Sequence, residues 1–121
     1  MVIGWGSTKG AIEEAVEGLR ADGYAVSSLH LTFLQPMASG LKEIMNRFQK
    51  VITIEGNWCD RADDALIDES NRRCSAVAML LRSRYLIDVD CWSEVTGQPI
   101  KPNTVRRVLL EKLQQRRGDA A

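Results

Sequence analysis

Short apolar runs alternate with segments whose apolar residues recur every three or four positions, and this alternation organises the chain. Met1 to Trp5 is an apolar run closed by Gly4-Trp5-Gly6, which predicts a strand ending in a tight turn. Ile12, Ala15, Val16 and Leu19 then fall at i, i+3, i+4 and i+7, the stripe of an amphipathic helix. Gly23 stands where a helix C-terminal cap wants it. Tyr24 to Leu31 predicts a second strand, and beyond Pro36 a second helical stripe runs through Leu41, Ile44, Met45 and Phe48. Val51 to Ile54, β-branched throughout, predicts a third strand ended by Glu55. A polar stretch from Gly56 to Arg73, with Asp60, Asp63, Asp64, Asp68 and Glu69, reads as a long solvated loop. Val77, Leu80 and Leu81 mark a third helix running into a fourth strand, predicted over Tyr85 to Val89. After Gly97 and Pro99 turn the chain, a last helix carries Val105, Val108, Leu109 and Leu113 on one face. Arg106, Arg107, Glu111 and Lys112 lie opposite.

Strand and helix therefore alternate four times, with crossovers long enough for parallel pairing. The fold class predicted is α/β: a three-layer α/β/α arrangement around a mainly parallel four-stranded sheet. Both faces of such a sheet are buried, and ligands or partners usually meet the carboxyl ends of its strands. No internal repeat and no linker divides the chain, so residues 1–121 read as a single domain. The first strand begins at residue 1, which suggests a piece of a longer polypeptide or an unusually short protein.

Composition narrows the function classes. Sixteen basic residues balance sixteen acidic ones, which gives none of the basic field that nucleic acid requires. No apolar run approaches the roughly 18 residues needed to span a bilayer, and the first residues lack the pattern of a signal peptide. Cys59, Cys74 and Cys91 are odd in number and form no CxxC pair, so reduced thiols in a cytoplasmic protein are expected. Together with His30, the only histidine, they are too scattered to predict a metal site. His30 has no nucleophile at a recognisable spacing and reads as structural or solvent-facing. The acidic stretch lacks the calcium-loop spacing.

Two clusters at the predicted strand ends remain as candidate binding or interface residues. Gly4, Gly6, Ser7 and Thr8 lie where exposed helix amides can hold an anion. The same residues also suit a plain turn, the glycines shaping it and Ser7 or Thr8 capping the helix. They form neither a phosphate-binding Gly-Lys-Ser/Thr loop nor a good dinucleotide fingerprint, since Gly10 comes one residue late. Glu55 and Asn57, at the end of the third strand, suit either a ligand or partner contact or simple loop capping. Trp5, Trp58 and Trp92 fall at or just beyond strand ends, where they serve an interface or fill the core. Arg82-Ser83-Arg84 ends the third helix, where cations complement the dipole. No residue is assigned as a catalyst.

The ordered set Gly4-Trp5-Gly6-Ser7-Thr8-Lys9-Gly10-Ala11-Ile12, Leu29-His30-Leu31, Leu34-Gln35-Pro36 and Val51-Ile52-Thr53-Ile54-Glu55-Gly56-Asn57 resembles one known domain. It is the C-terminal, transketolase C-terminal-like domain of the 2-oxoacid:ferredoxin oxidoreductase α subunit, of the 2-oxoglutarate type. Leu80 to Val89 and Val95-Thr96-Gly97-Gln98-Pro99-Ile100 extend the resemblance from about residue 2 to residue 113. Residues 58–74 depart from the family pattern, which passes from Glu-x-Asn to a Gly-Gln within a few residues.

The resemblance implies strand order 2-1-3-4 with the first strand central, burying Val2 and Ile3. It also implies a parent complex that uses thiamine diphosphate, Mg, an iron–sulfur cluster and CoA, with those sites in other domains and subunits and none in this chain. The partners implied are those other domains or a β subunit, in a homo- or hetero-oligomer, with ferredoxin met only through the full complex. On that reading Gly4, Gly6, Ser7, Thr8, Glu55 and Asn57 shape the edge facing the rest of the enzyme. The alternative is a free-standing α/β module binding a small anion at the Gly4–Thr8 turn. A complete small hydrolase or transferase ranks last, because no nucleophile–base pair supports it.

Overall fold

Residues 1–57, 63–66 and 75–119 are described by a computed structural model. Four parallel strands, β1 (Val2–Trp5), β2 (Ser28–Leu31), β3 (Val51–Glu55) and β4 (Val89–Ser93), pair in the order β2-β1-β3-β4. This is the order implied above. The connections contain α1 (Lys9–Ala21), α2 (Leu41–Met45) and α3 (Ala76–Tyr85), and α4 (Pro102–Asp119) follows β4. A single turn of 3-10 helix, Gly6–Thr8, joins β1 to α1.

Side chains alternate across the pleat, so each central strand supplies both faces of the sheet. Val2, Ile52 and Ile54 pack with Ile12, Val16 and Leu19 of α1 and with Val105, Val108 and Leu109 of α4. Ile3, Val51, Val89 and Cys91 pack on the other face with Leu41 and Met45 of α2 and Val77 and Leu81 of α3. Val2 and Ile3 are both buried, as a central strand requires. Each such side chain removed from water contributes about 1.5–3 kcal/mol before entropy is counted.

Two strands sit elsewhere than the apolar runs predict. β2 begins at Ser28 rather than Tyr24, because the chain first closes α1. Asp22 and Gly23 donate backbone N–H groups to the Gly18 and Arg20 carbonyls, Gly23 has φ +89°, and Tyr24 N donates to Leu19 O at 3.0 Å. Tyr24 and Val26 then join the core from a loop, outside any ladder. β4 begins at Val89 because α3 continues through Tyr85 and stops on Leu86, whose φ is +55°. Asp90, Cys91 and Trp92 therefore lie inside β4 and not beyond its end. The second stripe is helical only through Met45, although Phe48 still packs against the core.

The last helix differs in one respect: Lys112 is half-buried and turns toward Asp90 rather than facing solvent. Arg82 does more than complement a dipole, since its Nε donates to Val89 O at 2.6 Å and ties α3 to β4. Most of the loop expected over Gly56 to Arg73, with Trp58, Cys59 and Cys74, lies outside the described residues. Within it, Leu66 N donates to Asp64 Oδ1 at 2.9 Å, an Asx-type turn. Among the described residues, no helix is long and apolar enough to cross a membrane.

Candidate functional site

In the order β2-β1-β3-β4 the chain leaves β1 toward one edge and returns to β3 on its other side. The crevice beyond the carboxyl ends of β1 and β3 is therefore the topological switch point, the usual ligand position in such sheets. A groove of about 310 Å3 opens there, lined by Ser7 and Thr8, by Gly56, and by residues 94–100.

Local chemistry shapes the first wall. A Cβ on Gly4 would sit 2.4 Å from Ile12 Cδ1 and 2.9 Å from Thr8 Oγ1, so glycine is what lets α1 approach the strand. Gly6 has φ +65°, the left-handed conformation a sharp turn needs. Thr8 Oγ1 donates to Trp5 O at 3.1 Å and makes no cap hydrogen bond to α1. The helix thus presents its first amides without a side-chain cap from Thr8, while Ser7 is exposed on the groove.

Glu55 turns away from this groove. Its side chain is fully buried, and each carboxyl oxygen accepts two hydrogen bonds. Oε1 accepts from Asn57 Nδ2 at 3.0 Å and from Val77 N at 2.8 Å. Oε2 accepts from Thr53 Oγ1 at 2.7 Å and from Ala78 N at 3.2 Å. Val77 and Ala78 lie in the first turn of α3, so Glu55 does the capping work that Ser75, the N-cap residue, leaves undone. Ser75 instead pairs its hydroxyl with that of Ser93. Asn57 holds the carboxyl in place, and its own Oδ1 is buried without a hydrogen-bond partner.

The six candidate residues thus fall on neighbouring strands but in two arrangements. Ser7 and Thr8 line the groove, Gly4 and Gly6 form the turn behind them, and Glu55 and Asn57 hold the start of α3. Sequence reasoning missed the far wall, Glu94, Thr96 and Gln98. Only the Gly97-x-Pro99 turn hinted at it, and its place opposite Ser7 follows from strand order alone. Trp5, at the end of β1, is 37% exposed, while Trp92 is half-buried against the core. His30 lies in β2 with Nδ1 buried and unpartnered. Among the described residues, no three His, Cys, Asp or Glu side chains gather to hold a metal ion. With Glu55 already accepting four hydrogen bonds, these residues do not fit a metal-held diphosphate or a cluster, and no step of such chemistry is assigned to them.

The chain is a doubly wound α/β unit with its crevice at the switch point. It is 30% identical over 109 residues to the 2-oxoglutarate oxidoreductase subunit KorA of Mycobacterium tuberculosis, a match covering 90% of this chain and 14% of that protein. It is 34% identical over 73 residues to the α subunit of 2-oxoacid:ferredoxin oxidoreductase 1 of Aeropyrum pernix, covering 58% of this chain and 11% of that one. The structure superposes with a TM-score of 0.72 on 2-oxoglutarate:ferredoxin oxidoreductase from Magnetococcus marinus, solved with 2-oxoglutarate, coenzyme A and succinyl-CoA bound. That match has 23% identity and covers 93% of this chain and 17% of the other. No protein-family model matches the chain. The chain is a homologue of one segment of the 2-oxoacid:ferredoxin oxidoreductase α subunits, and it spans less than a fifth of the length of the relatives it matches.

Proposed function

We propose that residues 1–121 form one transketolase C-terminal-like domain serving assembly in a 2-oxoacid:ferredoxin oxidoreductase α subunit of the 2-oxoglutarate type, inactive alone. The observation that carries this reading is the similarity to KorA along 90% of the chain. In the parent complex thiamine diphosphate with Mg, an iron–sulfur cluster and CoA supply the chemistry, from domains and subunits outside these residues. The role of this chain is then to present a shaped edge. Trp5, Phe33 and Val95 stand at or just beyond the carboxyl ends of β1, β2 and β4, with 37%, 71% and 67% of their surfaces exposed. Apolar groups aligned along one sheet edge suit a contact with a neighbouring domain or a β subunit. Gly4, Gly6, Ser7 and Thr8 shape that edge directly, and Glu55 and Asn57 do so by anchoring α3.

The test is co-purification of the tagged chain from its native cell, with bound proteins identified by mass spectrometry. Recovery of a thiamine-dependent β subunit, or of the remaining α-subunit domains, supports the assembly role. A chain recovered alone as a stable monomer or homodimer overturns it, and directs attention to anion binding at the Gly4–Thr8 turn. Ferredoxin reduction by the isolated chain with 2-oxoglutarate would equally overturn the claim of inactivity.

A further inference from the structure

Among the described residues β2 has β1 on one side and no strand on the other. Val2 N donates to Ser27 O at 2.8 Å. Backbone direction alternates along a parallel ladder, so Leu29 and Leu31 also turn their N–H and C=O groups to β1, while Ser28 and His30 turn theirs outward. Those outward groups meet no backbone partner among the described residues. An unpaired edge of this kind templates another strand, and proteins usually blunt it with lysine, proline or a bulge. Ser28–Leu31 contains neither lysine nor proline, and its register with β1 is unbroken. A groove of about 360 Å3 runs beside the edge, with Leu29, Leu31, Leu41 and Ile44 in its lining.

We propose that β2 pairs antiparallel with β2 of a second copy of this chain, about a two-fold axis at Leu29, so that the sheet runs on across both copies. A second copy is the occupant because the edge is complementary to itself. With Leu29 on the axis, Ser28 of each copy stands opposite His30 of the other, and each such pair exchanges both N–H···O bonds. Leu29 meets its own counterpart on the groove face, in the closer spacing of a non-hydrogen-bonded pair. That contact covers a side chain the single chain leaves half-buried. Ser28 and His30 share the opposite face, where Lys9 and Glu13 flank them with one charge of each sign. The formal net charge of the chain is zero, so two copies approach without overall repulsion. This edge is separate from the groove at the carboxyl ends of the strands, and the pairing stands or falls apart from the assembly role.

The test is sedimentation equilibrium of the full chain from about 1 μM to about 1 mM. Apparent mass should rise with concentration from monomer to dimer, and amide hydrogen exchange at Ser28 and His30 should slow with it. Ser28→Pro removes an outward N–H at the first residue of an edge strand, a position that tolerates proline. It should raise the dimer Kd about tenfold or more, since both symmetric copies of that hydrogen bond are lost. Leu29→Cys sets two thiols on the axis with Cα atoms about 4.5 Å apart, within disulfide reach. Mild oxidation should then join the copies, and peptide mass spectrometry should find the link between the two introduced thiols. That readout holds even if Ser28→Pro folds poorly. A mass that stays monomeric throughout, as it would if the edge served a strand of another protein, would overturn the pairing. So would a dimer that protects Ser7 and Thr8 instead of Ser28 and His30, a Kd unchanged by Ser28→Pro, or the absence of a link at position 29.

Discussion

Glu55, the last residue of β3, accepts from the backbone N–H of Val77, 22 positions further along the chain, at 2.8 Å and so caps a helix it is not part of. The contact couples the central sheet to α3, because Ala78 N and Thr53 Oγ1 bind the same carboxyl group. Glu55→Gln keeps the volume but puts an amide donor where only donors face it. We expect a loss of about 2–3 kcal/mol in unfolding free energy, read by urea denaturation. Asn57→Ala, which removes one of the four donors, should cost about 1 kcal/mol. A Glu55→Gln protein as stable as the parent would contradict the capping role.

The β1–α1 turn gives a paired prediction. Gly4→Ala drives a methyl to 2.4 Å from Ile12 Cδ1, and overpacking of that kind costs about 1–3 kcal/mol. Gly10, the second residue of α1, has open space around the position of a Cβ. Gly10→Ala should therefore stabilise by about 0.5–1 kcal/mol through helix propensity. Melting temperatures moving in the same direction would refute the packing account of Gly4.

Gly4 was visible in the sequence because a turn after an apolar run is a local signal. The stripes of α1 and α4 were legible for the same reason, each repeating within a few residues. What stayed hidden depends on distance. Tyr24, Val26, Tyr85 and Ile87 are as apolar as strand residues yet reach the core from loops or a helix end, so β2 and β4 start later than the pattern suggests. The carboxyl of Glu55 was visible as a candidate, but its backbone partners Val77 and Ala78 lie beyond residues 58–74, and only the fold assigns it to α3. The opposition of Ser7 to the Glu94–Ile100 loop likewise needs the order β2-β1-β3-β4, which periodicity does not encode.

Leu86 carries the only positive φ of a non-glycine among the described residues, and its side chain is 89% exposed. It ends α3, with its N–H donated to Arg82 O at 2.9 Å. The left-handed conformation disfavours a side chain with a Cβ, whereas glycine takes it freely. Little burial is lost with the side chain, so Leu86→Gly should raise unfolding free energy by about 0.5–1 kcal/mol. Thermal melts of the two proteins at equal concentration decide it, and an unchanged or lower midpoint would count against strain at this cap.

Asp90 makes stability depend on pH in a defined sense. Burial pushes its carboxyl up, but hydrogen bonds from Lys112 and the Cys91 N–H, with the charges of Lys112 and Lys50, outweigh burial. They hold the group below its ordinary value of 3.8. A carboxyl depressed in the folded state binds its proton more readily when unfolded, so acid favours unfolding. Its stabilising contribution is complete above 3.8 and disappears as pH falls through the lower folded value. Asp90→Asn removes the titration while keeping the shape. The stability difference between parent and Asp90→Asn should therefore stay level from about pH 5 to 7 and shrink on further acidification. Urea titrations of both proteins from about pH 7 down to about pH 3 test the sign directly: a difference that grows toward acid would mean that burial, and not the two lysines, governs Asp90.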